Sequence, residues 1–347
     1  MKTIVFTGGG SAGHVVPNIA LMQDLKKYEN ITACYIGSNG LEKHLLKSVE
    51  VPYFEIDCPK LIRSKSLSAT WKNLQIPLRL SQAVRQAKHA LKTCKPSVVF
   101  SKGGYVALPV ILAAKKLKIP CYTHESDLSA GLANRLVSKK CKATFTSFPE
   151  TAKGFKNGVY TGAPMREELF SCDQLTAKTK FGFPSRKKTI LVLGGGSGSK
   201  TINDAIRANL PKLNDYAILH ICGKNNVVKN ATPNYRQYEY LENIGDAYAA
   251  ADVVVSRAGA GAIFEIFALK KPALFIPLEG QTRGDQLENA KHFEKQGLCK
   301  VLRQSNLNEL ATKIEETLFD QNLAKNLARS HFESGNEKIL AELLSAL

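Results

Sequence analysis

The stretch Thr3-Ile-Val-Phe-Thr-Gly-Gly-Gly-Ser-Ala-Gly-His14 decides the fold, and Thr189-Ile-Leu-Val-Leu-Gly-Gly-Gly-Ser-Gly198 repeats its pattern about 185 residues later. Each is a short apolar run that predicts a buried strand, followed by glycines and by a segment with helical periodicity. A glycine-rich turn lets a phosphate or a sugar approach the backbone, and it aims free N–H groups and the helix dipole at negative charge. One such turn in each half predicts two similar α/β domains facing each other across a ligand cleft.

The composition is typical of a soluble globular protein of two domains, with 347 residues, 44% hydrophobic and 22% charged. No apolar stretch approaches the roughly 18–20 residues of a transmembrane helix. Met1-Lys2 leads directly into a strand, which predicts that there is no signal peptide. The eight cysteines form no C-x-x-C pair, so we expect reduced thiols rather than metal ligands or disulfides.

The charge is strongly asymmetric along the chain. Residues 1–164 hold 24 Lys and Arg against 9 Asp and Glu, whereas residues 165–347 hold 24 against 21. Most of the net charge of +18 therefore lies in the first half. A basic half attracts an anionic partner, such as a nucleic acid, an anionic membrane face or a phosphorylated substrate. A generally basic proteome would explain the total but not the asymmetry, and no aromatic–basic motif supports nucleic-acid binding.

Strand-like and helix-like segments alternate through both halves, which predicts parallel sheets built from βαβ units. The predicted strands are residues 3–7, 31–36, 98–101, 121–123 and 143–146, then 189–193, 217–221, 236–240, 252–256 and 273–276. The turn at Gly162-Ala-Pro predicts a division into domains 1–164 and 165–347. Both glycine turns then follow the carboxyl ends of strands, where open α/β sheets bind ligands.

The first turn also satisfies the G-x-G-x-x-G spacing of a dinucleotide-binding fold through Gly8, Gly10 and Gly13. An NAD site needs an acidic residue at the end of the second strand, and this strand ends Ile36-Gly37-Ser38-Asn39, which disfavours NAD(P). His14 closes the loop and is the natural general-base candidate, because a helix N-terminus disfavours the imidazolium. The alternative interpretation is a capping or packing histidine.

Polar groups suited to a nucleotide sugar follow strands of the second half. Glu265 lies about a turn and a half into the helix after Arg257, where its two oxygens could grip a ribose diol; a surface glutamate is the alternative. Asp285, Gln286 and Asn289 open a further helix and offer sugar-type hydrogen bonds. No spacing of His, Asp or Glu predicts a bound metal.

One stretch of the first half has the composition of a membrane-binding surface. Residues 61–80 are rich in Leu and Ile, contain the only tryptophan, Trp71, and lie among the cations Lys60, Arg63, Lys65, Lys72 and Arg79. Such mixtures lie at anionic membrane interfaces. For the part from Leu78 to Leu91, an ordinary amphipathic helix packed on its own sheet is an equal alternative.

With these residues in place, the chain closely resembles the MurG family over essentially its whole length. That family transfers N-acetylglucosamine from UDP-GlcNAc to lipid I, an undecaprenyl-diphosphate-linked muramoyl-pentapeptide, and so makes lipid II in peptidoglycan synthesis. The segments that carry the resemblance are Gly9-Gly-Ser-Ala-Gly-His-Val-Val-Pro17, Gly103-Gly-Tyr-Val106, His124-Glu125, Ala130-Gly-Leu-Ala-Asn134, Gly162-Ala-Pro-Met-Arg166, Gly194-Gly-Gly-Ser-Gly198, Arg257-Ala-Gly-Ala260, Glu265, and Gln286 with Asn289-Ala290.

The resemblance implies a GT-B fold, with two Rossmann-like parallel-sheet domains facing a cleft, and an inverting transfer that needs no metal or other cofactor. The N-terminal domain would take the lipid acceptor and face the membrane, and the C-terminal domain would take the UDP-sugar. The last helix would pack back on the N-terminal domain. The protein would lie peripherally on the cytoplasmic face of the bacterial plasma (inner) membrane, bind no nucleic acid, and meet other cell-wall synthesis proteins.

The resemblance also implies the site residues. His14 and Glu125 would be catalytic, with His14 acting as the general base or positioning the diphosphate. Arg166 and the second loop would hold the UDP diphosphate, the backbone near Leu241 the uracil, and Glu265 the ribose. The full set of implied substrate-binding residues is Gly10, Ser11, Ala12, Gly13, Asn18, Tyr105, Asp127, Asn134, Arg166, Gly195, Gly196, Ser197, Leu241, Ala260, Glu265, Asp285 and Gln286, with Asp127, Asp285 and Gln286 on the sugar.

Three departures from the family pattern fall on the donor side. The chain has His124-Glu-Ser-Asp127 where the family usually has His-Glu-Gln-Asn, Asp285-Gln286 where a Gln-Gln pair is common, and Gly196 in place of serine. They keep open a related GT-B enzyme with another lipid acceptor, such as a glycosyl-diacylglycerol synthase. The other alternative is a non-catalytic UDP-sugar-binding subunit, against which an intact His14 argues.

Overall fold

The computed structural model describes residues 2–60, 71, 73–229, 232–280 and 284–347. The chain divides into two compact units, one made of Met1–Arg166 with Ser334–Leu347 and the other of Glu167–Glu333. The first unit therefore ends two residues beyond the predicted division and also includes the last residues of the chain. Within the described ranges, no helix is both long enough and apolar enough to cross a bilayer.

The first unit alternates strands and helices as the sequence predicts. Its strands are β1 (Lys2–Thr7), β2 (Ile31–Gly37), β3 (Tyr53–Glu55), β4 (Val98–Ser101), β5 (Cys121–Glu125), β6 (Ala143–Thr146) and β7 (Gly158–Tyr160). Its helices are α1 (Val16–Leu25), α2 (Leu41–Leu45), α3 (Ile76–Cys94), α4 (Ala107–Lys116), α5 (Leu132–Ser138) and α6 (Pro149–Lys153). The strands pair in parallel, in the order β3-β2-β1-β4-β5-β6-β7.

The second unit repeats this arrangement. Its strands are β8 (Thr189–Leu193), β9 (Ala217–Ile221), β10 (Tyr235–Tyr238), β11 (Val253–Ser256), β12 (Ala273–Phe275) and β13 (Lys300–Val301). Its helices are α7 (Gln174–Lys180), α8 (Lys200–Asn209), α9 (Ile244–Ala250), α10 (Ala260–Ala268), α11 (Asp285–Glu294), α12 (Leu310–Leu318) and α13 (Gln321–Arg329). The parallel strand order is β10-β9-β8-β11-β12-β13.

Every predicted strand forms, but three short strands were missed. β3, β7 and β13 are two or three residues long, lie at the sheet edges and are at most half-buried, so they lack the apolar run that marks a strand. The bounds predicted for one strand, 236–240, are wrong: β10 spans Tyr235–Tyr238, so it begins one residue earlier and ends two residues earlier. Central strands were found because helices cover both faces of a parallel sheet, which makes its strands continuously apolar.

The strand order creates a crevice at the same place in each unit. In the first sheet the chain runs outward from β1 to β2 and β3, then crosses to β4 on the other side of β1; in the second it does the same from β8 to β11. The loops that follow β1 and β4, or β8 and β11, therefore diverge at the carboxyl ends of neighbouring strands. Such a switch point is where doubly wound sheets bind ligands.

The end of the chain completes the first unit. The helix α14 (Asn336–Ser345) buries Ile339, Leu340 and Leu343 in the core beside Leu21 and Met22. The Asn336 side chain accepts a hydrogen bond from the Met165 N–H (3.0 Å) and donates one to the Met165 carbonyl (2.7 Å). The last segment is thus paired with the residue just before Arg166.

Leu343→Ala should destabilise the first unit selectively. Leu343 is completely buried, and truncating a buried leucine costs about 2–5 kcal/mol. We expect amide-hydrogen exchange to accelerate in β1 and β2 but not in β8 and β11. Lys338→Ala, an exposed change on the same helix, should leave both units unchanged. Faster exchange in the second unit alone would contradict the assignment of α14.

Candidate functional site

The glycine loop of the first unit contacts the turn that follows β4. Gly104 has a φ of +79°, and a Cβ added there would lie 2.3 Å from the Gly9 carbonyl oxygen. Gly10 has a φ of +87°, and its Cβ would lie 2.8 Å from the Tyr105 ring. The two turns approach this closely because no side chain stands between them. Gly10, Ser11 and Gly13 remain exposed, and Ala12 and Tyr105 are half-buried, so this part of the loop is open to a ligand.

His14 is held in one tautomer by its own loop. It ends the 3-10 turn Ala12–His14, and its Nδ1 lies 3.0 Å from the Gly9 carbonyl oxygen and 3.1 Å from Ser11 Oγ. A carbonyl only accepts, so Nδ1 carries the proton and Nε2 carries the lone pair. Burial, and then the charge of Lys102, lower the pKa of His14 below its usual value. The ring is therefore neutral at pH 7, and Nε2 can accept a proton.

Asn18 supports this loop from beneath. Its side chain is completely buried, and its Nδ2 donates to the Thr7 carbonyl (3.1 Å), to Tyr35 Oη (3.2 Å) and to the His14 carbonyl (3.4 Å). An amide engaged in this way shapes the loop rather than presenting itself at the surface. Asn18 thus shapes the loop from within, and its contact with the substrate stays a prediction.

Glu42 is a site residue that sequence reasoning missed. It is completely buried in α2, where Oε1 accepts from the Ser38 N–H (2.9 Å) and hydroxyl (2.5 Å) and Oε2 accepts from the Gly10 N–H (3.3 Å). The acid absent from the end of β2 thus occurs four residues beyond Ser38, with its oxygens committed to the glycine loop. No local signal marks it, because a glutamate between Leu41 and Lys43 has the pattern of a solvated charge.

Glu125 also stabilises a loop, the one that follows β5. It is 4% exposed, its Oε1 accepts from the Asp127 N–H (3.0 Å), and its Oε2 accepts from the Gly131 N–H (2.8 Å) and Asn134 Nδ2 (3.0 Å). The same amide of Asn134 donates to the His124 carbonyl (3.1 Å). Both carboxylate oxygens therefore accept hydrogen bonds from the loop that follows β5. Glu125 thus positions the Asp127 loop, and the catalytic role given to it by the resemblance stays a prediction.

The second glycine loop presents an open cradle. Gly195, Gly196 and Ser197 are exposed, Gly195 has a φ of +86°, and a Cβ added to it would meet nothing within 4 Å. The helix α8 begins directly afterwards, with Ser199 as its N-cap. The loop is braced from below, since a Cβ on Gly198 would lie 2.1 Å from the Cys222 carbonyl oxygen. Backbone N–H groups and a helix N-terminus at one open turn suit an anion.

Arg257 joins three segments around this cradle. Its Nη1 donates to the carbonyls of Ile276 (3.0 Å) and Pro277 (3.1 Å), and its Nη2 donates to Ser199 Oγ (2.7 Å) and Gln304 Oε1 (3.1 Å). Burial lowers its pKa, although a guanidinium stays charged at neutral pH. The Arg257 side chain thus holds the loops of the second switch point together by hydrogen bonds to protein groups.

The remaining donor-side candidates border the loops after β11 and β12. Ala260 is the buried first residue of α10, and Glu265 lies half-buried on the same helix, where Tyr248 Oη donates to its Oε2 (3.3 Å). Asp285 and Gln286 open α11, and Gln286 Oε1 accepts from the Leu278 N–H (2.9 Å).

Two further candidates, Leu241 and Arg166, lie outside the regular helices and strands. Leu241 is half-buried, three residues beyond the end of β10. Arg166 is the half-buried last residue before the chain enters the second unit. Among the described residues, no group of three His, Cys, Asp or Glu side chains could hold a metal ion.

Comparison with known proteins places both units in one family. The glycosyltransferase family 28 N-terminal domain matches residues 4–146, and the family 28 C-terminal domain matches residues 189–343. A relative from Lachnospira eligens, named UDP-N-acetylglucosamine--N-acetylmuramyl-(pentapeptide) pyrophosphoryl-undecaprenol N-acetylglucosamine transferase, is 42% identical over 98% of each chain. A relative of the same name from Shouchella clausii is 44% identical over 89% of this chain and 88% of its own.

Solved structures give the same fold. The crystal structure of MurG from Acinetobacter baumannii aligns over all of both chains with a TM-score of 0.75 and 25% identity. The calicheamicin glycosyltransferase CalG4 aligns over 100% of this chain and 98% of its own, with a TM-score of 0.74 and 15% identity, which is a likeness of fold alone.

Gly104→Ala should cost more stability than Gly195→Ala. Both positions have a positive φ, which costs alanine about 1–2 kcal/mol. Only at Gly104 would the methyl group also meet backbone, so we expect urea unfolding to show an additional loss of at least about 1 kcal/mol there. Gly195→Ala is the matched control. Equal losses would mean that the two turns of the first unit do not support each other.

Proposed function

The chain belongs to glycosyltransferase family 28, and we propose that it transfers N-acetylglucosamine from UDP-GlcNAc to the 4-hydroxyl of the muramoyl sugar of lipid I, forming lipid II. One observation carries this proposal: the 42% identity to a relative named for the transfer extends over 98% of both chains. The match therefore includes the His14 loop and the Glu265 helix together. The chain is an N-acetylglucosaminyltransferase built from two Rossmann-like parallel-sheet domains.

On the acceptor side, His14 is the general base. Its Nε2 takes the proton of the acceptor 4-hydroxyl while that oxygen attacks the anomeric carbon of UDP-GlcNAc. The bond between this carbon and the β-phosphate oxygen breaks, the electron pair leaves with UDP, and the configuration inverts. The lowered pKa of His14 supports this role, because the base is then neutral before the substrate binds.

On the donor side, the second glycine loop stabilises the departing UDP. The exposed backbone of residues 195–197 and the N-terminus of α8 provide donors for the diphosphate, and Arg166 adds a positive charge. Glu265, oriented by Tyr248, binds the ribose diol, and Leu241 lies beside the uracil. The transition state has oxocarbenium character, as in other glycosyl transfers. Asp127 accepts a hydrogen bond from a sugar hydroxyl but cannot donate one.

The first unit also carries the membrane contact. Trp71, Leu74 and Leu78 are 67%, 68% and 73% exposed. Of these only Leu78 belongs to α3, whose later turns bury Ala83, Val84, Ala87, Ala90 and Leu91 in the core. Beyond its first turn, α3 is therefore an ordinary amphipathic helix packed on its own unit, which was the alternative interpretation for Leu78–Leu91. Residues 61–70 and Lys72, the rest of the proposed patch, lie outside the described residues. We place this face against the anionic cytoplasmic side of the plasma membrane, as a peripheral contact.

The proposal is tested by transfer of radiolabelled GlcNAc from UDP-GlcNAc to a short-chain lipid I analogue, with EDTA present. We expect transfer by the wild type. His14→Ala should lower kcat by about 10²–10⁴-fold, because the base is lost. Glu265→Ala should instead raise the KM for UDP-GlcNAc about tenfold with a smaller effect on kcat, since it removes hydrogen bonds to a bound sugar.

The assay includes diacylglycerol as a second acceptor and UDP-Glc as a second donor. Transfer to diacylglycerol alone would replace the lipid I assignment by that of another lipid glycosyltransferase. Binding of UDP without turnover on either acceptor would favour the non-catalytic alternative. An unchanged kcat in His14→Ala would remove this residue from the chemistry.

The double variant Leu74→Ser, Leu78→Ser should lose membrane binding. Even partial insertion of two leucines contributes more than roughly 1.4 kcal/mol, so we expect at least about a tenfold weaker partition in flotation with phosphatidylglycerol vesicles. The control Leu175→Ser changes a leucine of α7 that is 61% exposed, and it should bind as the wild type does. Equal binding to neutral phosphatidylcholine vesicles would refute an anionic membrane face.

A further inference from the structure

Lys102 is a cation buried at the switch point of the first unit, where it is only 1% exposed. It follows β4 directly, and its backbone N–H donates to the Thr7 carbonyl (2.8 Å). Its Cβ lies beneath the glycine loop, 3.3 Å from where a Cβ on Gly8 would be. Its Nζ donates to Ser126 Oγ (2.5 Å). One side chain therefore joins the loop after β1 to the loop after β5.

The surroundings of Lys102 are charged as well as buried. Burial lowers the pKa of Lys102 to about 8, and the negative charges of Glu125 and Asp127 oppose that decrease. The side chain is therefore protonated at pH 7. It provides a positive charge that interacts with the carboxylates of Glu125 and Asp127, the two neighbours of Ser126 in the chain.

The same charge acts on His14. The His14 ring contacts the Gly9 carbonyl and the Ser11 hydroxyl of its own loop, and the charges that act on it are those of Lys102 after β4, Glu125 at the end of β5 and Glu42 in α2. Tyr105, in the turn after β4, carries a phenol whose pKa is raised, so it is neutral here. Lys102 opposes protonation of the ring, whereas the carboxylates and the carbonyl favour it.

We propose that Lys102 is a positioning residue of the transfer reaction: its buried ammonium anchors the loop after β5 through Ser126 and sets a positive charge beside the His14 ring. This rests on the proposed function, in which His14 receives the acceptor's proton. The charge keeps the ring unprotonated before the substrate binds, and it promotes release of the proton after each turnover.

Lys102 also accounts for two departures from the family pattern. Asp127 stands where an asparagine is usual, which adds a carboxylate next to Glu125. Ser126 stands where a glutamine is usual, and its hydroxyl receives the ammonium directly. The extra negative charge and the buried positive charge balance each other, so the loop keeps its position without a net charge added to the site.

The effect of replacing Lys102 on the Tm distinguishes a lysine that stabilises the fold from one that serves the reaction. Burying an ammonium opposes folding, and methionine would occupy similar space without a charge to desolvate. Because the pKa of Lys102 is lowered in the folded protein, this cost is present in full below about pH 8 and declines as the pH rises toward the unfolded value. Lys102→Met should therefore keep or raise the Tm at pH 7, with less gain at pH 10.

The direct test is titration of the His14 ring by NMR in the free protein, with the His14→Gln spectrum as the assignment. In Lys102→Met, we expect His14 to titrate at higher pH than in the wild type, while the Tm at pH 7 does not fall. We also expect kcat/KM to decrease about tenfold, the size of one charge-assisted hydrogen bond, with the acid limb of its pH profile moved upward. Lys116→Met, an exposed change on α4, is the control.

Lys102→Gln separates the charge from the hydrogen bond, because it retains a donor for Ser126. It should show the same upward titration of His14. An unchanged His14 titration in either folded variant would overturn the proposal, as would a Tm that falls in parallel with the activity. The NMR titration needs no substrate, so a wild-type protein that fails to transfer GlcNAc would refute the proposed function and leave the Lys102 test intact.

Discussion

The contact between the backbones of Gly9 and Gly104 is the constraint on which the first site depends. In a parallel sheet of order β3-β2-β1-β4, the loops that follow β1 and β4 diverge. Here these two loops contact each other, because Gly104 has no side chain and leaves room for the Gly9 carbonyl. The Gly9 carbonyl then fixes the His14 tautomer, while the glycine loop stays attached to Glu42 through Gly10. A side chain at either glycine would move the base and its support together.

The two units share a strand order, but different groups occupy their switch points. The first unit buries three charged side chains near its switch point, those of Glu42, Lys102 and Glu125, and their charges act on His14. The second leaves its switch point open: a Cβ on Gly195, Gly259 or Gly261 would meet nothing within 4 Å. A preorganised field suits proton transfer. An open backbone cradle suits a large anionic ligand that supplies its own charges.

Sequence reasoning predicted the central strands and both glycine loops, because apolar runs and glycine spacing are local signals. It missed β3, β7 and β13, whose residues form strands only because a neighbour is present. It also missed Glu42 and Lys102, since nothing local distinguishes a buried charge from a solvated one. It identified Glu125 but not its hydrogen bonds, whose donors on Gly131 and Asn134 only the folded loop brings together.

The return of the chain to the first unit has a consequence for biosynthesis. The core beside Leu21 and Met22 is completed by Ile339, Leu340 and Leu343, more than 300 residues later in the chain. A ribosome therefore releases the whole second unit before the first can acquire its last helix. The unit that is synthesised first is therefore the unit whose core is completed last.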